Sequence, residues 1–313
     1  LQRRQAIDDA RHCETGAQRD LGRSVWRAFL LIGLGISVSV ASLGHAEEAS
    51  PFSIRAIDTP VGPNAREPSL AALGDDRIVM SWTEVDGADA AVRMAVLENS
   101  GWSPARTVHQ SEKLFVNWAD FSSVVALSDG TLAAHWLELN GPGSYQYDVN
   151  IAFSSDEGRN WTAPILPHDD RSQREHGFVS LIPDAIGGLT ALWLDGRAYD
   201  NQAADDSFEN AMQVRARRIT PDGTMGPESL LDERACTCCQ TSAVRIDTDE
   251  IIAVYRDRTA EEIRDISVVR MNGVVWSKPE NIHADGWELA GCPVNGPAID
   301  ALEGDVAVIW FTA

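Results

Sequence analysis

The 313-residue chain carries 47 acidic and 26 basic residues, a net charge of −21, with 44% hydrophobic and 23% charged positions. Such a chain can bury a sizeable core and is too polar for a membrane bundle. Its negative field disfavours nucleic acid and anionic membranes as partners.

Residues 1–22 are polar. Arg23 and Arg27 then flank an apolar run, Ala28–Val40, which ends in Ser42-Leu43-Gly44-His45-Ala46. A basic flank, a short apolar stretch and a small residue before a polar start describe a secretory signal. The run is short for a spanning helix, which needs about 20 residues. Cleavage is expected after Ala46, giving a 1–46 extension and signal, a 47–313 domain, and a secreted or periplasmic protein free of the membrane. The only lysines are Lys113 and Lys278; every other base is Arg, whose planar fork suits carboxylates.

From there the chain repeats. An apolar strand ending in an aromatic residue recurs at Trp82, Trp136, Trp193, Tyr255 and Trp310, in steps of 54, 57, 62 and 55 residues. A second pattern, Trp followed seven residues later by His, recurs in phase at Trp102–His109, Trp161–His168 and Trp276–His283. Each unit holds four short apolar stretches separated by turn signals such as Ser128-Asp129-Gly130 and Pro221-Asp222-Gly223. Four-stranded units at this period predict an all-β fold, a six-bladed β-propeller with about 4.7 blades present. The run Val306–Ala313 reads as a buried strand that stops, so the C-terminus is expected to be truncated.

Ser154-Ser155-Asp156-Glu157-Gly158-Arg159-Asn160-Trp161 resembles the Asp box of sialidase-like (BNR-repeat) propellers. In that family Ser154, Asp156, Gly158 and Trp161 would be structural residues of a hairpin turn. The resemblance extends to Arg66-Glu67-Pro68-Ser69-Leu70, similar to the Arg-Ile-Pro-x-Leu opening of bacterial sialidases with Glu in place of Ile. It implies Arg66 as a carboxylate-binding Arg, Asp86 or Asp89 as the acid, and Arg256 or Arg258 as a second binding Arg. The stretch Cys238–Ser242 carries no carboxylate where a sialidase has a Glu. The motifs Cys-x-Cys-Cys-Gln-Thr and Gly-Cys-Pro-Val-Asn-Gly-Pro resemble those of uncharacterised secreted bacterial members of this class.

An acid two residues past the aromatic recurs as Glu84, Glu138, Asp195 and Asp257, read mainly as turn caps or partners of nearby Arg. Blade-joining loops are rich in functional types. The Arg set Arg66, Arg174, Arg197, Arg256 and Arg258 is expected to form a basic pocket for a carboxylate or sulfate. His109, His168 and His283 follow the repeat and read as architecture. His176 lies outside it and is the better catalytic or metal candidate, although no metal ligand is assigned. Cys236, Cys238, Cys239 and Cys292 are expected to form disulfides, one of the close trio reaching Cys292; neither zinc spacing nor a redox Cys-x-x-Cys is read there.

These features predict a sialidase-like glycoside hydrolase or glycan-binding protein acting at the central cavity, without a cofactor, monomeric, with a glycan or other anionic ligand. The alternatives are a non-catalytic binding propeller and a metal-binding periplasmic propeller using the Cys loops.

Overall fold

The computed structural model describes residues 54–199 and 211–313. The apolar run Ala28–Val40 and the expected cleavage point lie outside the described residues. The chain divides into units Leu1–Thr59 and Pro60–Ala313, and all that follows concerns the second.

Among the described residues every regular element is a strand. The first sheet holds β1 (Ala65–Gly74), β2 (Arg77–Asp86) and β3 (Asp89–Glu98), with β4 (Gly101–Trp102) and β5 (Arg106–Ser111) both pairing to β3. The second holds β6 (Ser123–Ala126), β7 (Leu132–Leu139) and β8 (Tyr147–Ser154), with a bridge from Ile151 to Ile165 at its outer edge. The third holds β9 (His176–Pro183), β10 (Leu189–Asp195), β11 (Met212–Ile219) and β12 (Ser229–Ala235). The fourth holds β13 (Ser242–Asp247), β14 (Glu250–Arg256) and β15 (Ile266–Asn272), with β16 (Val275–Trp276) and β17 (Glu280–Asn281) both on β15. β18 (Ala298–Leu302) and β19 (Asp305–Ile309) pair as a fifth. All strand pairings within these sheets are antiparallel, and the first strands β1, β6, β9, β13 and β18 neighbour one another in that order. The fold is an all-β propeller of consecutive blades.

The repeating aromatic strand is the second of each blade. In the second, third and fourth blades it is apolar on both faces because each face meets a different neighbour, whereas β19, expected from Val306–Ala313 to be buried, is largely exposed. On β10, Ala191 and Trp193 pack toward Val149 and Ile151 of the second sheet. Leu192 and Leu194 pack toward Ile251 and Tyr255 of the fourth. β7 behaves alike, with Trp136 toward the first sheet and Leu137 toward the third. The period of two along a strand therefore distributes one strand between two cores. Trp82, Trp136, Trp193 and Tyr255 are all buried.

The turn between Ser154 and Trp161 is closed by its own side chains. Ser154 Oγ donates to Asp156 Oδ1 (2.9 Å) and accepts from the Gly158 amide (2.9 Å), while Asp156 Oδ1 accepts from the Asn160 amide (2.8 Å). Gly158 has φ +79°, and a Cβ there would lie 2.6 Å from Met94 Sδ of the first sheet. Gly223 also has a positive φ, +85°, but faces open space. Left-handed backbone costs a non-glycine residue about 1–2 kcal/mol, and overpacking adds about 1–3 kcal/mol. Gly158→Ala is therefore expected to lower the urea-unfolding free energy by about 2–4 kcal/mol. Gly223→Ala is expected to lower it by about 1 kcal/mol.

Candidate functional site

In every blade the start of the first strand lies beside the end of the second: Ala65 opposite Glu84, His176 opposite Asp195, Ser242 opposite Val254. The blade-joining loops arrive at this edge, and the polar residues of the buried strands are gathered there. The recurring acids take partners at once. Trp82 Nε1 donates to Glu84 Oε1 (2.8 Å) and Trp193 Nε1 to Asp195 Oδ2 (2.9 Å). Glu138 pairs with His109 (3.0 Å), whose ring stacks on Trp136. Asp257 accepts from Ser267 Oγ (2.8 Å). These acids are mainly supports for the repeat.

A different set of carboxyls is buried at the same edge. The Tyr147 hydroxyl lies 2.8 Å from Asp120 Oδ2 and 2.9 Å from Glu175 Oε1. A phenol has one proton to donate. With both acceptors in place, the second contact is a hydrogen bond only if one carboxyl carries a proton and donates to the phenol oxygen. Burial works the same way, pushing Asp120 up to about 7 and Glu175 up to about 8. Asp120 also accepts from the Phe178 amide (2.7 Å). Gly177 makes this approach possible: a Cβ there would sit 1.9 Å from Asp120 Oδ2. Glu67, half-buried and next to exposed Arg66, is pushed up to about 7, mainly by burial and in part by the charge of Asp120. Glu67 and Phe178, on first strands, and Val294, ahead of β18, have left-handed backbone (φ 57°, 54° and 48°). Strain of this kind in non-glycine residues is retained where surrounding structure over-determines it.

His168 and His176 form a second buried group. Their rings stack at 3.9 Å, tilted by 4°. Asp148, Asp170 and Asp195 surround them, with Asp148 Oδ1 at 3.4 Å from His176 Nδ1 and 3.6 Å from His168 Nε2. Burial holds His168 down at about 4. Burial also opposes charge on His176, but Asp148, Asp195 and Asp170 together raise its proton affinity. Asp195 would be raised by burial, yet Arg197 and His176 bring it down to about 2.

The sequence-predicted residues divide clearly. Asp86 and Asp89 face each other across the β2–β3 hairpin tip and are exposed. Arg66 is exposed at the start of β1 and Arg174 is half-buried beside Glu175. Arg197 grips Asp195 through two nitrogens (2.7 Å each) and reaches Glu228 (2.8 Å). Arg256 is buried under Trp287 and donates to the backbone carbonyls of Asn295, Arg264 and Phe311. Arg258 is held by Glu262. The structure thus distributes the five Arg along the edge, with Arg197, Arg256 and Arg258 engaged by protein acceptors. His176 lies in the buried cluster. His168, expected to be architectural, joins it, although it also keeps the repeat's place near the next blade's Trp193. Tyr147, Asp120, Asp148 and Glu175 carry no signal in the sequence, and Glu67 appears there only as the departure from Arg-Ile-Pro-x-Leu.

Cys238 and Cys292 form a disulfide. Cys236 and Cys239 are buried thiols with sulfurs 3.5 Å apart. They are three residues apart, so a Cys-x-x-Cys pair is present after all, hidden by the intervening Cys238. The bond to Cys239 and the Arg264 guanidinium hold Cys236 down at about 6, against burial. The two cysteine motifs also meet through backbone: a Cβ on Gly296 would strike the Gln240 carbonyl at 1.9 Å.

No family model matches the chain, and no curated protein matches it. Solved structures do. A mutant of the α-L-arabinofuranosidase arb93a from Fusarium graminearum, in complex with an iminosugar inhibitor, is 12% identical, with 79% of this chain and 75% of that one covered, at a TM-score of 0.50. An α-L-arabinanase from Penicillium chrysogenum is 12% identical (76% and 71% covered, TM-score 0.48). The NanB sialidase of Streptococcus pneumoniae is 12% identical (71% and 32% covered, TM-score 0.44), so the chain spans about a third of that protein. At these identities the likeness is one of fold.

The acid cluster fixes a pH dependence. Asp120 titrates near 7 when folded and near 3.8 otherwise. Between those values the folded state binds the extra proton, so stability from this group is full at low pH and is lost as pH rises through about 7. Thermal unfolding from pH 5 to 8.5 is expected to show a falling midpoint. Asp120→Asn, which keeps the acceptor for Phe178 and supplies a donor to Tyr147, is expected to flatten that fall and to exceed the wild type at pH 8.5. Peptide mapping after alkylation without reduction is expected to give Cys238–Cys292 as a cross-link and Cys236 and Cys239 as alkylated thiols.

Proposed function

We propose that this protein is a secreted or periplasmic glycan-acting propeller of the glycoside hydrolase type, working at the edge where Arg66, Glu67, Asp120, Tyr147 and Glu175 converge. The observation that carries the reading is the Tyr147 hydroxyl placed within hydrogen-bond reach of both Asp120 and Glu175. Glycoside cleavage needs a carboxylic acid that is still protonated near neutral pH to protonate the leaving oxygen, together with a carboxylate. Glu67 is the member exposed enough to meet a ligand. Its burial and the neighbouring Asp120 favour its neutral form, and Arg66 beside it supplies a cation for a ligand oxygen. Asp120, Glu175 and Tyr147 form the buried wall behind it, with one carboxyl of the pair protonated and the other left to carry charge.

The preferred substrate is a neutral rather than a sialic sugar. The Arg256 donors that a sialidase would offer to a carboxylate are committed to backbone carbonyls. The arabinofuranosidase on the same fold makes pentofuranosides a reasonable first panel, and the resemblance of Ser154–Trp161 to an Asp box keeps sialosides in it.

The test is hydrolysis of aryl α-L-arabinofuranoside, arabinan oligosaccharides and an aryl sialoside by the full chain. Turnover of a neutral glycoside is expected, falling at least about 100-fold in kcat for Glu67→Gln, with Arg66→Ala raising KM. Glycan binding without turnover would leave the binding propeller as the correct reading. Neither binding nor turnover on a broad glycan panel would sink both.

A further inference from the structure

We propose that Asp148, His168 and His176 form a binding site for a single divalent transition-metal ion of the zinc class. The argument starts from protons. His168 Nδ1 lies 2.8 Å from the Asp170 carbonyl oxygen, which can only accept, so this nitrogen carries the hydrogen. His176 Nε2 lies 3.1 Å from Asp170 Oδ2, again an acceptor, so this nitrogen carries the hydrogen there. In the neutral rings the opposite nitrogens, His168 Nε2 and His176 Nδ1, are lone pairs. Both are buried and, among the described residues, have no hydrogen-bond partner. Both lie near one carboxylate oxygen, Asp148 Oδ1, at 3.6 and 3.4 Å, and the three atoms lie within 4.8 Å of one another. Two lone pairs and an anionic oxygen facing one another repel unless something positive sits between them.

The outer contacts are those a metal site uses. Ligating imidazoles hand their other N–H to a carbonyl or carboxylate, which fixes tautomer and ring orientation. Asp170 does both, through its backbone for His168 and its side chain for His176. Asn140 Nδ2 donates to Asp148 Oδ1 (2.7 Å) and holds that carboxylate in place. The charge balance also calls for a cation. Asp195 is matched by Arg197, and Arg171 donates to the carbonyls of His168 and Asp170 rather than to carboxylates. Asp148 therefore has no arginine bonded to it, and the positive charge between it and the two rings is either a bound cation or a second proton on His176.

Ligand type and spacing choose the ion. Two imidazoles disfavour calcium and magnesium, which take oxygen ligands. Tetrahedral zinc, with ligands at about 2.0–2.1 Å, separates neighbouring ligand atoms by roughly 3.3–3.5 Å. An octahedral ion at similar bond lengths brings adjacent ligands to roughly 3.0 Å. The 3.4 and 3.6 Å separations fit the tetrahedral case. Three protein ligands leave a fourth position, reached from the side of Asp148 and Asp170, which are partly exposed while both His side chains are not. This site does not depend on the glycan reading, since its test reads the metal alone.

The experiment uses the purified full chain, stripped with chelator, checked for folding by circular dichroism and titrated with zinc against a chromogenic chelator. About one zinc per chain is expected, with chelation lowering the thermal midpoint and zinc restoring it. Cobalt(II) in its place is expected to give the intense visible bands of four-coordinate geometry. Asp148→Asn keeps the shape and the Asn140 hydrogen bond, so it tests the ligand without emptying the core. It is expected to weaken zinc at least about tenfold. His168→Ala and His176→Ala should abolish stoichiometric binding, whereas His283→Ala, exposed on another blade, should leave it unchanged. A folded wild type that takes up no zinc or cobalt would overturn the proposal, with His176 then held as an imidazolium between Asp148 and Asp170. Binding that Asp148→Asn leaves at wild-type strength would overturn it equally.

Discussion

The second strands of the second, third and fourth blades are packed on both faces, and this constraint organises the rest of the molecule. A strand such as β10, buried along its whole length, holds few polar side chains away from its ends. Its backbone polar groups are satisfied by the neighbouring strands, but side-chain chemistry is confined to the edge at which second strands finish and first strands begin. Indole and phenol groups mark the boundary. Their apolar bodies belong to the inter-blade core, and in Trp82, Trp193 and Tyr255 the single N–H or O–H meets a carboxylate, that of Glu84, Asp195 and Asp232 (2.5 Å) respectively.

That edge carries two kinds of buried polar group. One kind is held by protein acceptors. Arg256 and Arg258 find carbonyls or carboxylates for their donors, Arg264 reaches Glu262, the Leu289 carbonyl and Cys236 Sγ, and Arg217 holds Asp169 (2.8 Å) through its terminal nitrogens. The other kind is incompletely paired unless a proton or ion is added. Asp120 and Glu175 share one phenol proton, and His168 and His176 turn unprotonated nitrogens on Asp148. An incompletely satisfied buried polar group costs free energy in a low-dielectric interior. Structures retain such groups where function requires them, and both groups here lie on the loops and strand ends of a single edge.

The fold was largely legible because it repeats. Trp82, Trp136, Trp193 and Tyr255 could be aligned by spacing alone, and each lies on a second strand. The one-per-blade acids were also legible as supports, since Glu84 and Asp195 take the indole N–H of their own strand. The site was not legible in the same way. Asp120, Tyr147 and Glu175 lie far apart in sequence and meet because the second and third blades bring a connector, a third strand and another connector together. No local spacing encodes that meeting. Gly177 carried the one available hint, as a glycine placed where a strand begins, but its reason is the Asp120 oxygen that a Cβ would strike. His168 was masked by its periodicity. The Cys236–Cys239 pair was masked by Cys238, whose own partner lies 54 residues on.

The central claim is that this edge holds a neutral carboxylic acid at physiological pH, because one phenol proton cannot serve two carboxylates. Infrared spectroscopy reads this directly, since a protonated carboxyl has a C=O stretch resolved from that of carboxylates. The full chain at pH 7 should show that band, and Asp120→Asn combined with Glu175→Gln should weaken it. A wild-type spectrum at pH 7 with carboxylate bands alone would contradict the account.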